Sequence, residues 1–89
     1  MVYLISYEIN EQQYDYSSLK EAIKSYGDYQ HPMETLWFVR ADNVDVDSIA
    51  KNLRGHFHSP HDHIFVIEVK DGTSRQGWLP KAVWKWLRQ

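Results

Sequence analysis

Val2-Tyr3-Leu4-Ile5-Ser6-Tyr7-Glu8-Ile9 contains neither glycine nor proline and is dominated by β-branched, aromatic and aliphatic residues. Such a run reads as a strand, because stiff and bulky side chains of this kind pack well on a pleated surface. Side chains alternate along a strand, so Tyr3, Ile5, Tyr7 and Ile9 share one face while Val2, Leu4, Ser6 and Glu8 share the other. Both rows are largely apolar, which predicts a central strand covered on both sides. Glu8 is the exception, a carboxylate near the carboxyl end of a strand that otherwise favours burial.

A second such stretch is Thr35-Leu36-Trp37-Phe38-Val39-Arg40-Ala41, again apolar on both faces. Between the two, residues 10–15 are a polar loop, and Tyr16, Leu19, Ala22, Ile23 and Tyr26 recur at helical spacing. Asp15 is the expected cap of this helix, in preference to Ser18, which with Glu21 would form a capping box. Gly27 is the expected stop. Residues 28–33 are short and contain Pro32, which restricts them to a sheet edge.

Beyond the turn signal Asp42-Asn43, Asp45 is placed to cap a second helix, with Asp47 in its first turn. Val46, Ile49, Ala50 and Leu53 form its apolar stripe, and Gly55 ends it. A loop at 56–63 leads to a last strand over 64–69, and residues 70–77 are polar. Pro80 stands where a helix over 81–88 can begin.

The order β-α-β-β-α-β predicts an α+β protein of ferredoxin-like arrangement, with a four-stranded antiparallel sheet and an added C-terminal helix. One domain is expected over 1–89, with a core at 1–70 and a helical extension at 78–89. Right-handed crossovers put the first two helices on one face of the sheet and make the first and third strands central. These are the two strands apolar on both sides. The second face, with Val2, Leu4 and a row of the third strand, must be covered by the C-terminal helix or by a second copy. A homodimer is therefore expected, with Val2, Leu4, Trp37 and Trp84 at its interface.

Composition narrows the function classes. The 89 residues are 43% hydrophobic and 15% aromatic, which argues for a folded chain. Cysteine is absent, so disulfides and thiolate metal sites are excluded. No apolar run reaches membrane-spanning length, and the N-terminus lacks a basic leader, so a cytoplasmic protein is expected. Ten Lys and Arg against twelve Asp and Glu give a net charge of −2, unlike a protein that coats nucleic acid; a local basic face is left open.

Two segments carry candidate chemistry from their residues alone. His56, His58, His61 and His63 surround Asp62 in an H-x-H-x-x-H-x-H pattern. Imidazoles are common ligands of zinc, nickel or copper, and the competing reading is a polar loop rich in histidine. On a C-terminal helix, Leu79, Ala82, Val83, Trp86 and Leu87 fall on one side and Lys81, Trp84, Lys85 and Arg88 on the other. The second set can grip phosphate and stack on a base; the competing reading packs Trp84 on a partner and leaves the cations solvated. Tyr3, Tyr7 and Trp37 lack the basic surroundings of a base-stacking sheet and are expected in the core or an interface.

Tyr7-Glu8-Ile9 at the end of a first strand, Lys24-Ser25-Tyr26-Gly27 closing a first helix, Thr35-Leu36-Trp37-Phe38-Val39 in the third strand and Asp45 opening the second helix together resemble the CRISPR-associated protein two family. Closer still is the resemblance to its small SinR-like relatives, which share a Trp in the third strand and an ending like Gly77-Trp78-Leu79-Pro80. The resemblance covers most of residues 2–69 by pattern. It implies a ferredoxin-like homodimer associated with nucleic acid. Some members are divalent-metal-dependent nucleases, others are structural bridges between integrase dimers, and the VapD ribonuclease toxins share the fold.

The family's metal-site aspartate at the end of the first strand falls on Glu8, which is longer by one methylene. The resemblance thus implies a catalytic, metal-binding Glu8 from each protomer, holding magnesium or manganese. The competing reading is a strand-end carboxylate paired with Arg40 or a lysine. The segment 78–86 departs from the integrase partners. The expected function is an interaction or structural component with weak nucleic-acid contact; the alternatives are a metal-dependent endonuclease and a VapD-like toxin component.

Overall fold

The structure is a computed structural model that describes residues 1–10 and 13–89; positions 11 and 12 of the expected polar loop lie outside the described residues. Its elements run β1 (Val2–Glu8), α1 (Ser17–Lys24), β2 (Asp28–Met33), β3 (Leu36–Arg40), α2 (Val46–Arg54), β4 (His63–Val69) and α3 (Lys81–Leu87). The four strands form one antiparallel sheet in the order β2-β3-β1-β4. The two strands read as central are central, and the α+β, ferredoxin-like arrangement with an added C-terminal helix is the one the element order predicts.

Register decides which side chains share a face. Ile5 stands opposite Trp37 on β3 and Val66 on β4, whereas Leu4 stands opposite Phe38 and Ile67. The first set faces α1 and α2. There Tyr3, Ile5, Tyr7, Trp37 and Val39 pack with Tyr16, Leu19 and Ile23 of the first helical segment and with Ile49 and Leu53 of α2. Trp37 is 1% exposed, so it belongs to the protomer's own core and not to a dimer interface. The parity of the Ile5–Trp37 pair is the reason. The indole N–H donates to the Tyr7 hydroxyl at 3.2 Å, and the His31 ring stacks on it with centroids 3.5 Å apart.

The helix starts follow local chemistry at one end and tertiary contact at the other. Asp45 caps α2: its carboxylate accepts from the Ser48 N–H at 2.8 Å, and Ser48 Oγ accepts from the Asp45 N–H at 3.2 Å. At α1 the cap position falls to Tyr16, without a side-chain cap. Asp15 lies one residue earlier, accepting from the Ser17 N–H at 2.8 Å, and Ser18 is already inside the first turn. Tyr16 is held there by a 2.6 Å hydrogen bond from its hydroxyl to Asp62, 46 residues away.

On the other face, α3 lies over part of the sheet. Val83, Trp86 and Leu87 bury against Phe38, joined by half-buried Val2, Leu4, Leu36, Val69, Leu79 and Trp84. Val2, Leu4 and Trp84, expected at a dimer interface, thus already pack within the protomer. Ala82 is exposed although the helical pattern put it on the apolar side, and Trp84 takes part instead, because a large ring at the margin of a stripe reaches what a methyl cannot. Three groups fix the helix in place. Asp28 accepts from the Trp86 indole N–H at 2.7 Å and from Arg40 at 2.9 Å. Arg40 also donates to the Trp86 carbonyl at 2.8 Å, near the negative end of α3, and its guanidinium lies 4.0 Å above the Trp86 ring.

Coverage by α3 is partial. Phe65 is 60% and Ile67 46% exposed on the same face, and Met33 is exposed at the β2 end. Among the described residues, no helix is long and apolar enough to cross a membrane.

The Asp28 contacts lead to a measurable expectation. Asp28→Ala leaves the buried Trp86 N–H without its acceptor, and should cost roughly 1–2 kcal/mol in urea unfolding. The ion pair with Arg40 adds little because the Asp28 side chain is 54% exposed. Trp86→Phe should cost less in the Asp28→Ala background than in wild type, because the stranded donor is removed with the ring.

Candidate functional site

The carboxyl end of β1 opens into a groove of about 690 Å³, lined among others by Tyr7, Glu8, Asp15, Lys20, Glu34 and His63. Glu8 is exposed on the same face as Leu4 and Ser6, directly opposite His63 in the β1–β4 ladder. Neither side chain makes a hydrogen bond or ion pair with another described residue. The Glu8–Arg40 pair of the competing reading does not form. Arg40 stands opposite Val2, six residues away along β1, which places it about 20 Å from Glu8, and it is engaged by Asp28.

The groove's inner wall is a buried polar chain. The Tyr7 hydroxyl accepts from Trp37 and donates to the Glu34 carbonyl at 3.3 Å. Burial holds the Tyr7 pKa above its ordinary value, against the lowering effect of the Trp37 hydrogen bond. Tyr7 therefore stays a neutral hydrogen-bonding group across the physiological range.

The four loop histidines do not share a site. His56 contacts Ser18 Oγ through Nδ1 at 3.2 Å. His58 places Nε2 3.0 Å from the Asp15 carbonyl and stacks on Tyr14 at 4.9 Å. His61 is exposed, and His63 already lies in β4. Among the described residues, no three His, Asp or Glu side chains converge as a metal-binding group. The physical reason is Asp62, the carboxylate that the histidines surround in the sequence. Its buried carboxylate accepts from the Asn10 N–H at 2.8 Å, the Tyr16 hydroxyl at 2.6 Å, and the N–H groups of Ser59 and His58 at 3.3 and 3.4 Å. The Asn10 side chain also donates to the His61 carbonyl. The loop is wrapped around one acid, and its imidazoles take separate partners or lie exposed. The signal in the sequence was a lone carboxylate among neutral residues, in a loop that must satisfy its own backbone donors.

Burial by itself would raise the Asp62 pKa; the hydrogen bonds from Asn10, Tyr16, His58 and Ser59 outweigh it and hold it below the ordinary value.

Lys81 and Lys85 of α3 and Arg88 at its C-cap are exposed, in keeping with a solvated basic edge. Trp84 is half-buried against the apolar cluster and does not present a free ring. The ring that is free is Trp78, 97% exposed just before the helix, which the sequence reading did not single out for stacking. A following Leu79-Pro80 that must turn into the helix was the available signal.

No protein-family model matches the chain, and no curated protein matches it. Among solved structures, the fold is similar to the crystal structure of a hypothetical protein from Thermus thermophilus, with a TM-score of 0.63 at 18% identity, covering 89% of this chain and 93% of that one. At that identity the likeness shows the fold alone.

Asp62→Asn tests the role of the buried acid. It should lower stability at neutral pH by roughly 1–3 kcal/mol, because several donors then face a weaker acceptor. A carboxylate depressed in the folded state contributes fully above its unfolded value, about 3.9, and loses that contribution as pH falls through the folded one. The gap between wild type and variant in urea unfolding should therefore hold from pH 7 down to about pH 4 and narrow below it. A gap that does not change with pH would contradict the assignment.

Proposed function

We propose that this chain is a homodimeric interaction protein of nucleic-acid-related processes in the cytoplasm, similar in role to the structural members of the CRISPR-associated protein two family. The observation that carries the proposal is the uncovered half of the second sheet face, where Phe65 and Ile67 are exposed beside the half that α3 covers. A contiguous apolar strip of this kind on a small domain suits a protein surface better than water. β4 is also an edge strand that contains no proline. A net charge of −2 fits an interaction role better than one of coating a polyanion, and Lys81, Lys85 and Arg88 supply a local basic edge for contact with phosphates.

A second reading is favoured by a different observation, the uncommitted carboxylate of Glu8 at the mouth of the groove. In that reading the protein is a metal-dependent endonuclease. Glu8 from both protomers holds magnesium or manganese, which would polarise a phosphate and lower the pKa of a bound water.

Sedimentation at micromolar concentration tests the dimer. Wild type should run as two chains, and Phe65→Asp with Ile67→Asp should run as one with an unchanged circular dichroism spectrum, since both side chains are exposed on an edge strand. A wild-type monomer that binds no hydrophobic dye refutes the proposal.

Titration with labelled single strands and duplexes tests the basic edge. Binding should be weak and should fall steeply with salt, with a slope of about two to three released counterions, because only a few cations take part. Lys81→Glu with Lys85→Glu should abolish it. Cleavage in the same mixtures with magnesium or manganese, lost in Glu8→Gln, would decide for the second reading.

A further inference from the structure

Charge is divided unevenly along the chain. Five of its ten Lys and Arg, but one of its twelve Asp and Glu, fall in residues 70–89, so this stretch carries +4 and residues 1–69 carry −6. Such an asymmetry points to a polyanionic partner for the basic part. Its cations are also free. Arg75, Lys81, Lys85 and Arg88 are exposed, and none makes an ion pair or a side-chain hydrogen bond among the described residues. Three of the five cations in residues 1–69, by contrast, are paired: Lys24, Arg40 and Lys51. Lys81, Lys85 and Arg88 recur at i, i+4 and i+7, on the side of α3 opposite Val83, Trp86 and Leu87. They make a stripe about 10 Å long. At its N-terminal end stands Trp78, three residues before Lys81 and 97% exposed; no other exposed large hydrophobic side chain exceeds 60% among the described residues. The backbone holds this ring out. Leu79 packs into the α3 cluster, and Pro80, the N-cap, is extended at φ −54° and ψ 143°. Neighbouring side chains of an extended chain point to opposite sides, so anchoring Leu79 turns Trp78 to solvent.

We infer that Trp78 and this stripe form a contact for single-stranded nucleic acid, in which the indole stacks on an unpaired base while Arg75, Lys81, Lys85 and Arg88 hold the phosphates beside it. The inference rests on the phosphate contact proposed above and adds to it the stacking ring and the form of the strand. Cations alone do not distinguish a duplex from a single strand, because both present phosphates. An open indole face does. The bases of a duplex are stacked on one another and closed to it, whereas an unpaired base offers a free face. Every base has such a face, so the contact tolerates any sequence. A lipid surface would need an apolar face to sink into it, and that of α3 is spent on the sheet, where Val83, Trp86 and Leu87 are buried. The acidic remainder of the protein repels a polyanion, which confines the strand to this edge.

The full-length protein tests this against four probes: a labelled oligothymidine, its duplex with oligoadenine, an abasic strand of equal length, and vesicles of phosphatidylcholine with phosphatidylserine. Wild type should bind the single strand more tightly than the duplex or the abasic strand. Trp78→Ala should weaken single-strand binding roughly five- to hundredfold, the loss of one stacked base, and Trp78→Phe should recover part of it. Neither substitution should change duplex or abasic-strand binding. The salt slope should be the same in Trp78→Ala and wild type, because the ring releases no counterion, whereas each cation removed should lower it by about 0.7. Indole fluorescence should be quenched by the single strand in wild type and not in Trp78→Phe. The thermal midpoint of Trp78→Ala should match wild type; a lower one means a packed ring and overturns the inference. Single-strand binding unchanged in Trp78→Ala but lost in Lys81→Glu with Lys85→Glu overturns the stacking and leaves the phosphate contact standing. No binding of any strand overturns both. Vesicles bound more tightly than the single strand, with that binding lost in Trp78→Ala, assign the ring to a lipid surface and overturn the inference.

Discussion

Tyr3, Ile5 and Tyr7 lose nearly all their exposure beneath α1 and α2, while Val2 and Leu4, on the opposite side of the same strand, need cover of their own. This two-sided demand of β1 places the other elements. One face takes both crossover helices, where Leu19, Ile23, Ile49 and Leu53 are fully buried. Each such side chain contributes about 1.5–3 kcal/mol relative to exposure, far more than any surface ion pair in the molecule. The other face takes α3, and the polar contacts of Asp28, Arg40 and Trp86 determine where on that face it sits. Apolar burial supplies most of the stability of that docking, and the hydrogen bonds supply its orientation.

A seven-residue helix cannot cover a four-stranded sheet. Because α3 is drawn to the end where Asp28 and Arg40 meet, it leaves Phe65, Ile67 and the Glu8–His63 row in the open. The apolar strip and the uncommitted Glu8 carboxylate are therefore consequences of one asymmetry. Whatever occupies the strip lies next to that carboxylate, which links the proposed interface to the proposed metal chemistry.

Polar groups inside the fold are accounted for. Among the described residues, no buried side-chain nitrogen or oxygen lacks a hydrogen-bond partner. The Tyr3 hydroxyl reaches the Val44 carbonyl at 2.8 Å, Tyr7 serves both Trp37 and Glu34, and Asp62 gathers four donors. An unmet group in such a position costs about 1–3 kcal/mol, so this satisfaction makes the histidine loop a structural unit.

Alternation and turn chemistry made the sheet legible from the sequence. The apolar rows at 2–9 and 35–41 identify the central strands, Pro32 marks an edge, and Asp45 announces its helix, because each of these effects acts over a few neighbouring residues. Glu8 was legible for the same reason, as a charge at the end of an apolar strand. What lay beyond the sequence was everything set by register and by distant partners. Trp37 faces inward because it stands opposite Ile5, His63 stands opposite Glu8 because β4 pairs with β1 in one register, and the histidine loop is held by the bonds of Asp62 to Tyr16 and Asn10. A shift of one residue in pairing would reverse every one of those faces, and local sequence does not encode the pairing; burial of the whole sheet does.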